Sequence, residues 1–304
     1  MSVCDSALAQ AVLAVERLEA EVSTWVPGSA FDQLNVAPVA VPVGLSPEAA
    51  RGLSRAMEWH ARTDGAFSPL CGALLRLWDL RGVGRVPSAD EVREGLRRQA
   101  VAAVQLSGQE VRRLSDDTVI EEGGYAKGQA LDLALAAARA SRVHRFEGNF
   151  GGQLLHWAAR DSAWACELAD PLDRTRSVAT LAIRGGSVST SGQSERRVVI
   201  DGTPYGHILD PRTGFPVAAW GTATAVAAGA IDADCLSTAL LVMGPTGGGE
   251  WLAANPQYDA VLIEISSEGY VFHVTNRLAS ALQVRTTRPH RVVVLPQDVE
   301  VRSR

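Results

Sequence analysis

The segment GHILDPRTG, residues 206–214, decides how this chain is read. It sets His207 and Asp210 three positions apart and follows them with Pro211, Arg212, Thr213 and Gly214. Asp-Pro-Arg-Thr-Gly has the chemistry of a tight turn, with Pro211 fixing φ at the first corner. A lone His and Asp at this spacing is usually structural. Here Ser189, Thr190, Ser191 and Gly192 lie just upstream. Hydroxyls, glycines, an imidazole and charge at this density exceed what packing requires, and predict a ligand site.

Downstream, Asp232-Ala233-Asp234-Cys235-Leu236-Ser237-Thr238 fits a helix expected over 232–243. Asp234 and Thr238 are then i and i+4, so both oxygens face one side. A carboxylate, a hydroxyl and a nearby carbonyl suit a hard cation such as Mg²⁺, which keeps its other positions for water and phosphate. Upstream, Gly123-Gly124-Tyr125-Ala126-Lys127-Gly128 opens a helix expected over 126–141. Free N–H groups at a positive helix end, with a lysine one turn in, suit a phosphate. The spacing is not that of a P-loop. Gly148-Asn149-Phe150-Gly151-Gly152 reads as a glycine turn, and the run from Thr63 through Ser68 to Pro69 as a helix stop.

Apolar periodicity predicts a first helix through Leu8, Val12, Val15, Leu18 and Val22. Ser46 and Pro47 mark the start of a second helix, as N-cap and first-turn proline. Ser88 and Glu91 form a capping box for a helix reaching about Gln99. A last short helix is expected over 249–254. Residues 36–44 read as extended. Strands are expected over 101–106, 110–114, 118–120, 154–159, 163–168, 178–183, 222–227, 260–265 and 270–274. Helices and strands mix without βαβ alternation, which predicts an α+β fold of mainly antiparallel strands in one domain. Residues 1–276 are read as that domain and 277–304 as a loosely packed tail.

Composition narrows the function classes. Of 304 residues, 46% are apolar and 21% charged, and the formal net charge is -5. That suits a globular protein and argues against nucleic acid as a partner. No apolar run approaches the ~20 residues of a membrane span, so no membrane insertion is expected. Cys4, Cys71, Cys166 and Cys235 are scattered without metal-ligand spacing and read as reduced thiols. With no secretion or lipoprotein signal in the sequence, a cytoplasmic location is expected.

Taken in order, the motifs resemble the ApbE family of flavin transferases. They are Ser23-Thr24-Trp25 to Leu34-Asn35, TDGAF-x-P, G-G-x-A-K-G, N-x-G-G, S-G, H-I-x-D-P-x-T-G and A-D-x-x-x-T-A-L, spread from Leu13 to Val274. The resemblance implies a single-domain enzyme that binds FAD and Mg²⁺. Such an enzyme joins FMN through a phosphoester to a Thr or Ser of a partner flavoprotein and releases AMP. It implies metal ligation by Gly124, Asp234 and Thr238. It implies FAD binding by Ser68, Lys127, Gly128, Gly151, Gly152, Ser189, Thr190, Ser191, Gly192, His207, Pro211, Thr213 and Gly214. His207 and Asp210 are the candidates for orienting or deprotonating the incoming hydroxyl, and the choice between them stays open.

The sequence departs from the family pattern in several places. The usual first strand, with its Met-Gly-Thr stretch, is missing before the first helix. Ser68 and Gln153 each stand where Asp is usual, and Gln193-Ser194 where Asp-Tyr is. Gly206 replaces a second His, and Glu121-Glu122 replaces Asp-Leu. Two other readings therefore remain: an FAD diphosphatase giving FMN and AMP, and a non-catalytic FAD-binding relative.

Overall fold

Along the strand Asp259–Ser266, side chains alternate between two cores. Ala260 and Leu262 pack under helices, while Val261 and Ile263 pack against a second, smaller sheet. A strand apolar on both faces belongs to the middle of three layers. The computed structural model describes residues 3–97, 103–160, 162–194 and 197–296.

In chain order the elements begin with α1 (Val3–Val22), α2 (Ala30–Val36), β1 (Val43–Gly44), α3 (Pro47–Arg62), α4 (Gly72–Trp78) and α5 (Ala89–Arg97). There follow β2 (Val104–Ser107), β3 (Glu110–Arg113), α6 (Ala126–Ala140), β4 (Arg145–Phe150), β5 (Gln153–Ala158), β6 (Ala163–Ala169) and β7 (Ser177–Arg184). Next are β8 (Gly186–Gly192), β9 (Arg197–Ile200), β10 (Thr203–Gly206), β11 (Gly221–Ala227) and α7 (Ala230–Ala254). The order closes with β12 (Asp259–Ser266), β13 (Gly269–Thr275), α8 (Asn276–Ala279), β14 (Leu282–Val284) and β15 (His290–Leu295).

The central sheet has seven strands in the order β15-β13-β12-β11-β8-β5-β4. Among the described residues every pair of these strands is antiparallel except β13–β15. Helices α1, α3, α6 and α7 cover one face, with Phe31, Trp59, Leu236 and Leu240 fully buried beneath them. The sheet β14-β7-β6 covers the other face through Leu181, Ile183 and Phe272. Each such aliphatic or aromatic side chain contributes about 1.5–3 kcal/mol on burial. The α+β class expected from the sequence is the one observed.

The local start signals act as read. Ser46 Oγ accepts from Ala49 N–H at 3.1 Å. Ser88 and Glu91 close their capping box in both directions, at 3.3 and 2.8 Å. The end of that helix at Gln99, and the first residues of the strand expected over 101–106, lie outside the described residues.

Other expectations change. The helices expected over 232–243 and 249–254 join as α7, which kinks at Gly244 and Pro245. The expected strand 118–120 reduces to one bridge between Val119 and Cys71. Helices α2 and α4 had not been expected, since seven residues are too few to show a helical period. The tail is corrected over its described part. α8 buries Leu278, β14 pairs with β7, and β15 pairs with β13, so 277–296 completes both sheets. Residues 297–304 lie outside the described residues.

Candidate active site

A cavity of about 630 Å³ opens between the helical layer and the loop after β10. Its walls bring together Ser68, Lys127, Gly151, His207, Asp234 and Thr238, which the chain order keeps far apart. The start of α7 supplies the acidic side. Asp234 is only 2% exposed, and its Oδ2 accepts from Gly128 N–H at 3.1 Å. That contact requires α6 and α7 to touch. A Cβ on Gly128 would lie 2.3 Å from the Ala230 carbonyl, so only glycine permits the approach.

The α7 N-terminus is fixed from two sides. Asp132 on α6 accepts from Ala230 N–H at 2.8 Å and Ile231 N–H at 3.0 Å, which satisfies two free helix-end donors. Burial raises the Asp132 pKa, and these two bonds oppose the rise. Asp232 accepts from Arg55 Nε and Trp59 Nε1, both at 2.7 Å.

Lys127 reaches across the cavity floor. Its Nζ donates to the Gly123 carbonyl at 2.9 Å and lies 3.3 Å from Asp234 Oδ1. The ammonium therefore marks a place where oxygens of two segments gather around a positive charge. Gly123 and Gly124 both line the cavity. Among the described residues no group of three or more His, Cys, Asp or Glu side chains surrounds a metal position. Asp234 and Thr238 line the same cavity, and the Gly123 carbonyl lies at Lys127 Nζ.

The strand β8 forms the next wall, and its alternation sorts the expected residues. Ser189 and Ser191 face α7, where Ser237 Oγ meets them at 3.1 and 2.9 Å, and Thr238 Oγ1 lies 3.3 Å from Ser191 Oγ. Thr190 carries its hydroxyl to the opposite face, 2.9 Å from Thr224 Oγ1. Ser237, fully buried at the junction, escaped the sequence reading because only its spatial partners distinguish it from an ordinary helix serine.

GHILDPRTG divides in the same way. His207 and Pro211 line the cavity; Asp210, Thr213 and Gly214 do not. Asp210 holds the turn instead. Its carbonyl accepts from Gly214 N–H at 2.8 Å, and its carboxylate takes Arg212 Nε and Nη2, each at 2.9 Å. Trp78 Nε1 donates to the Gly214 carbonyl at 2.8 Å and clamps the far end. Of the two base candidates, His207 faces the cavity. Gly128 and Gly152 are not among the residues lining the cavity: Gly128 is buried against α7, and Gly152 is exposed.

The ApbE family model matches residues 1–262. The chain belongs to the ApbE family. It is 30% identical over 279 residues to a protein of Treponema pallidum (strain Nichols) named FAD:protein FMN transferase, covering 85% of this chain and 77% of that protein. A protein of the same name from Rhodobacter capsulatus is 29% identical over 295 residues. This match covers 91% of the chain but 54% of the relative, so the chain spans about half that protein's length. The crystal structure of the ApbE protein of Thermotoga maritima superposes with a TM-score of 0.78 at 28% identity, covering 86% of each chain. The apo flavinyl transferase ApbE of Pseudomonas stutzeri shares the fold, with a TM-score of 0.79 over 91% of this chain and 88% of that one, at 24% identity.

The departures from the family pattern have physical partners in this fold. Gln193 is buried. Its amide donates to the carbonyls of Ile208 and Val217 at 2.7 and 3.0 Å and accepts from Ile208 N–H at 3.1 Å. It ties β8 to the His207 loop and fills the space beside Gly206, where an added Cβ would lie 2.0 Å from Gln193 Oε1. Gln153 donates to the Ala230 carbonyl at 2.6 Å and braces α7. Ser68, 8% exposed, accepts from Leu70 N–H at 3.2 Å. Glu122 stands in the wall with 6% exposure; burial, and then the neighbouring Glu121, push its carboxyl pKa up. Among the described residues no helix is long and apolar enough to cross a membrane.

Proposed function

We propose that this chain is an Mg²⁺-dependent FAD:protein FMN transferase that acts on a Thr or Ser of a partner flavoprotein and releases AMP. One observation carries the reading. The Asp234–Thr238 oxygens and the Lys127 ammonium share a cavity wall with His207. The printed names of the relatives support the FAD and protein-acceptor parts of it.

The donor set fits magnesium. One carboxylate, one hydroxyl and one carbonyl are hard oxygen donors, and so few protein ligands leave room for water and phosphate oxygens. Asp234, Thr238 and the carbonyl at Gly123 or Gly124 are the residues that would hold it. When bound, the ion supplies charge neutralisation on a diphosphate.

The protein's own groups supply the rest. Lys127 and the N–H groups opening α6 place positive potential on the phosphates. His207 accepts the proton of the acceptor hydroxyl as its oxygen bonds to the FMN phosphorus, and the bond to the AMP phosphate breaks. General-base help of this kind contributes about 10²–10⁴-fold. Positioning and charge stabilisation dominate phosphoryl transfer, so few side chains need to change protonation state. The 630 Å³ cavity lies in the roughly 300–1,000 Å³ range of small-molecule sites.

The test is to combine the protein with FAD, Mg²⁺ and a flavoprotein encoded near its gene, then weigh the acceptor and quantify AMP. The expected result is an FMN-sized mass gain matched by AMP. AMP and free FMN in equal amounts without an acceptor would select the diphosphatase reading instead. Neither product would rule out both.

A further inference from the structure

A second cavity, of about 290 Å³, lies between the β6–β7 and β14–β15 connections and shares no lining residue with the active-site cavity. Arg176 lines it from the first connection; Arg285, Thr286, Thr287 and Arg288 line it from the second. All three arginines and Thr287 are exposed, so a solute reaches them. Among the described residues none of these guanidiniums has a carboxylate at ion-pair distance. Asp170 is the one carboxylate in the lining. It is 4% exposed, and its Oδ1 accepts from the Tyr270 hydroxyl at 2.6 Å and from Leu172 N–H at 2.8 Å. Asp173, on the same connection, feels the Arg176 charge and takes its hydrogen bonds from Thr175. Three guanidiniums against one lining carboxylate leave a surplus of positive charge, in a chain whose net charge is -5.

The arginines gather around one ring. Arg288 Cζ lies 5.7 Å from the Tyr270 ring centre. Burial, and then Asp170, push the Tyr270 phenol up to about 12, and the charges of Arg288 and Arg176 both oppose that rise. The second connection is held at each end: Arg285 N–H donates to the Val178 carbonyl at 2.7 Å, and Tyr270 N–H to the Pro289 carbonyl at 3.0 Å. Between them Thr286 Oγ1 accepts from Arg288 N–H at 3.2 Å. Like charges gathered without a counter-ion repel, and guanidiniums hold phosphate oxygens through paired N–H donors. Arg285 and Arg288 lie beyond the family match, which ends at residue 262.

We propose that this cavity binds a phosphate group, free or on a small phosphomonoester, among Arg176, Arg285 and Arg288. The inference is independent of the flavin reading.

The test is arginine-selective modification of the wild-type protein by phenylglyoxal, mapped by mass spectrometry. Rates are compared with and without inorganic phosphate or glycerol phosphate, at an ionic strength held constant with sodium chloride. Arg51, exposed on α3, is the reference. At ten times the half-saturating concentration, modification of the three arginines should slow roughly 10-fold, with Arg51 unchanged. Protection by both probes supports a site for the phosphate group itself; protection by one alone supports the free ion or the ester. No protection by either, or equal slowing at Arg51, would overturn the inference. Calorimetric titration with the protecting probe supplies a second readout. The double variant Arg285→Gln, Arg288→Gln should lose roughly 10- to 100-fold in affinity, and Lys127→Met should retain it. Loss in Lys127→Met with retention in the double variant would place the phosphate in the active-site cavity and overturn the inference.

Discussion

Lys127 Nζ stands 3.3 Å from Asp234 Oδ1, with the Gly123 carbonyl 2.9 Å away on its other side. The ammonium thus shares the carboxylate that the magnesium reading assigns to a metal ion. If a divalent ion bound at Asp234, it and the Lys127 ammonium would compete for that carboxylate. Lys127→Met is expected to tighten Mg²⁺ binding to the nucleotide-free protein and weaken binding of FAD. Calorimetric titration with each reads both; weaker Mg²⁺ binding in the variant would contradict the competition.

Asp234 is buried and accepts from Gly128 N–H. Asp234→Ala removes the assigned metal oxygen and leaves that N–H unsatisfied. The expected stability loss is about 1–3 kcal/mol. AMP release should fall far more than this, to the level seen without Mg²⁺. A variant that keeps Mg²⁺-dependent AMP release would remove Asp234 from the metal site.

His207 and Asp210 are separable. Asp210 is occupied by the two nitrogens of Arg212 and lies outside the cavity wall, whereas His207 lies in it. His207→Asn is expected to lower transfer by about 10²–10⁴-fold. Asp210→Asn should lower the rate far less, through a loosened turn. The reverse pattern would make Asp210 the base.

Gly206 and Gln193 occupy complementary space. Gly206→Ala must displace an amide held by three hydrogen bonds, with the Cβ placed 2.0 Å from its oxygen. Gln193→Ser vacates the space. The two changes should therefore be non-additive, with a coupling of about 0.5–3 kcal/mol in denaturant unfolding. Simple additivity would mean that the amide moves aside freely.

His60, at the end of α3, sits 3.0 Å through Nδ1 from the Phe67 carbonyl behind the cavity wall. Burial holds its pKa below 6.5, and the hydrogen bond opposes that shift. The unfolded chain therefore takes up the proton first on acidification. Stability should be undiminished above 6.5 and should fall as pH drops from there through the lower folded pKa. A series of Tm values on the acid side, compared with His60→Gln, reads the contribution as a shallower slope in the variant. Identical slopes would exclude His60.

What the sequence determined by itself was local. The caps at Ser46 and Ser88, the i, i+4 pair Asp234 and Thr238, the glycine-opened helix bearing Lys127 and the turn after Asp210 each lie within a few residues. Backbone geometry makes such neighbours meet wherever the chain folds. The order of these segments was enough to indicate the family and its α+β class. The tertiary structure decided everything that depends on distant partners. It paired the Thr190 hydroxyl with Thr224 on β11 and set Ser189 and Ser191 against Ser237 on α7, because β8 alternates its faces. It engaged Asp210 with Arg212 and left His207 facing inward. It matched Gln193 to Gly206, and it joined 282–284 and 290–295 to strands earlier in the chain. GHILDPRTG announces a turn with reactive side chains. Which of them faces a ligand was set by the walls that residues far along the chain build around it.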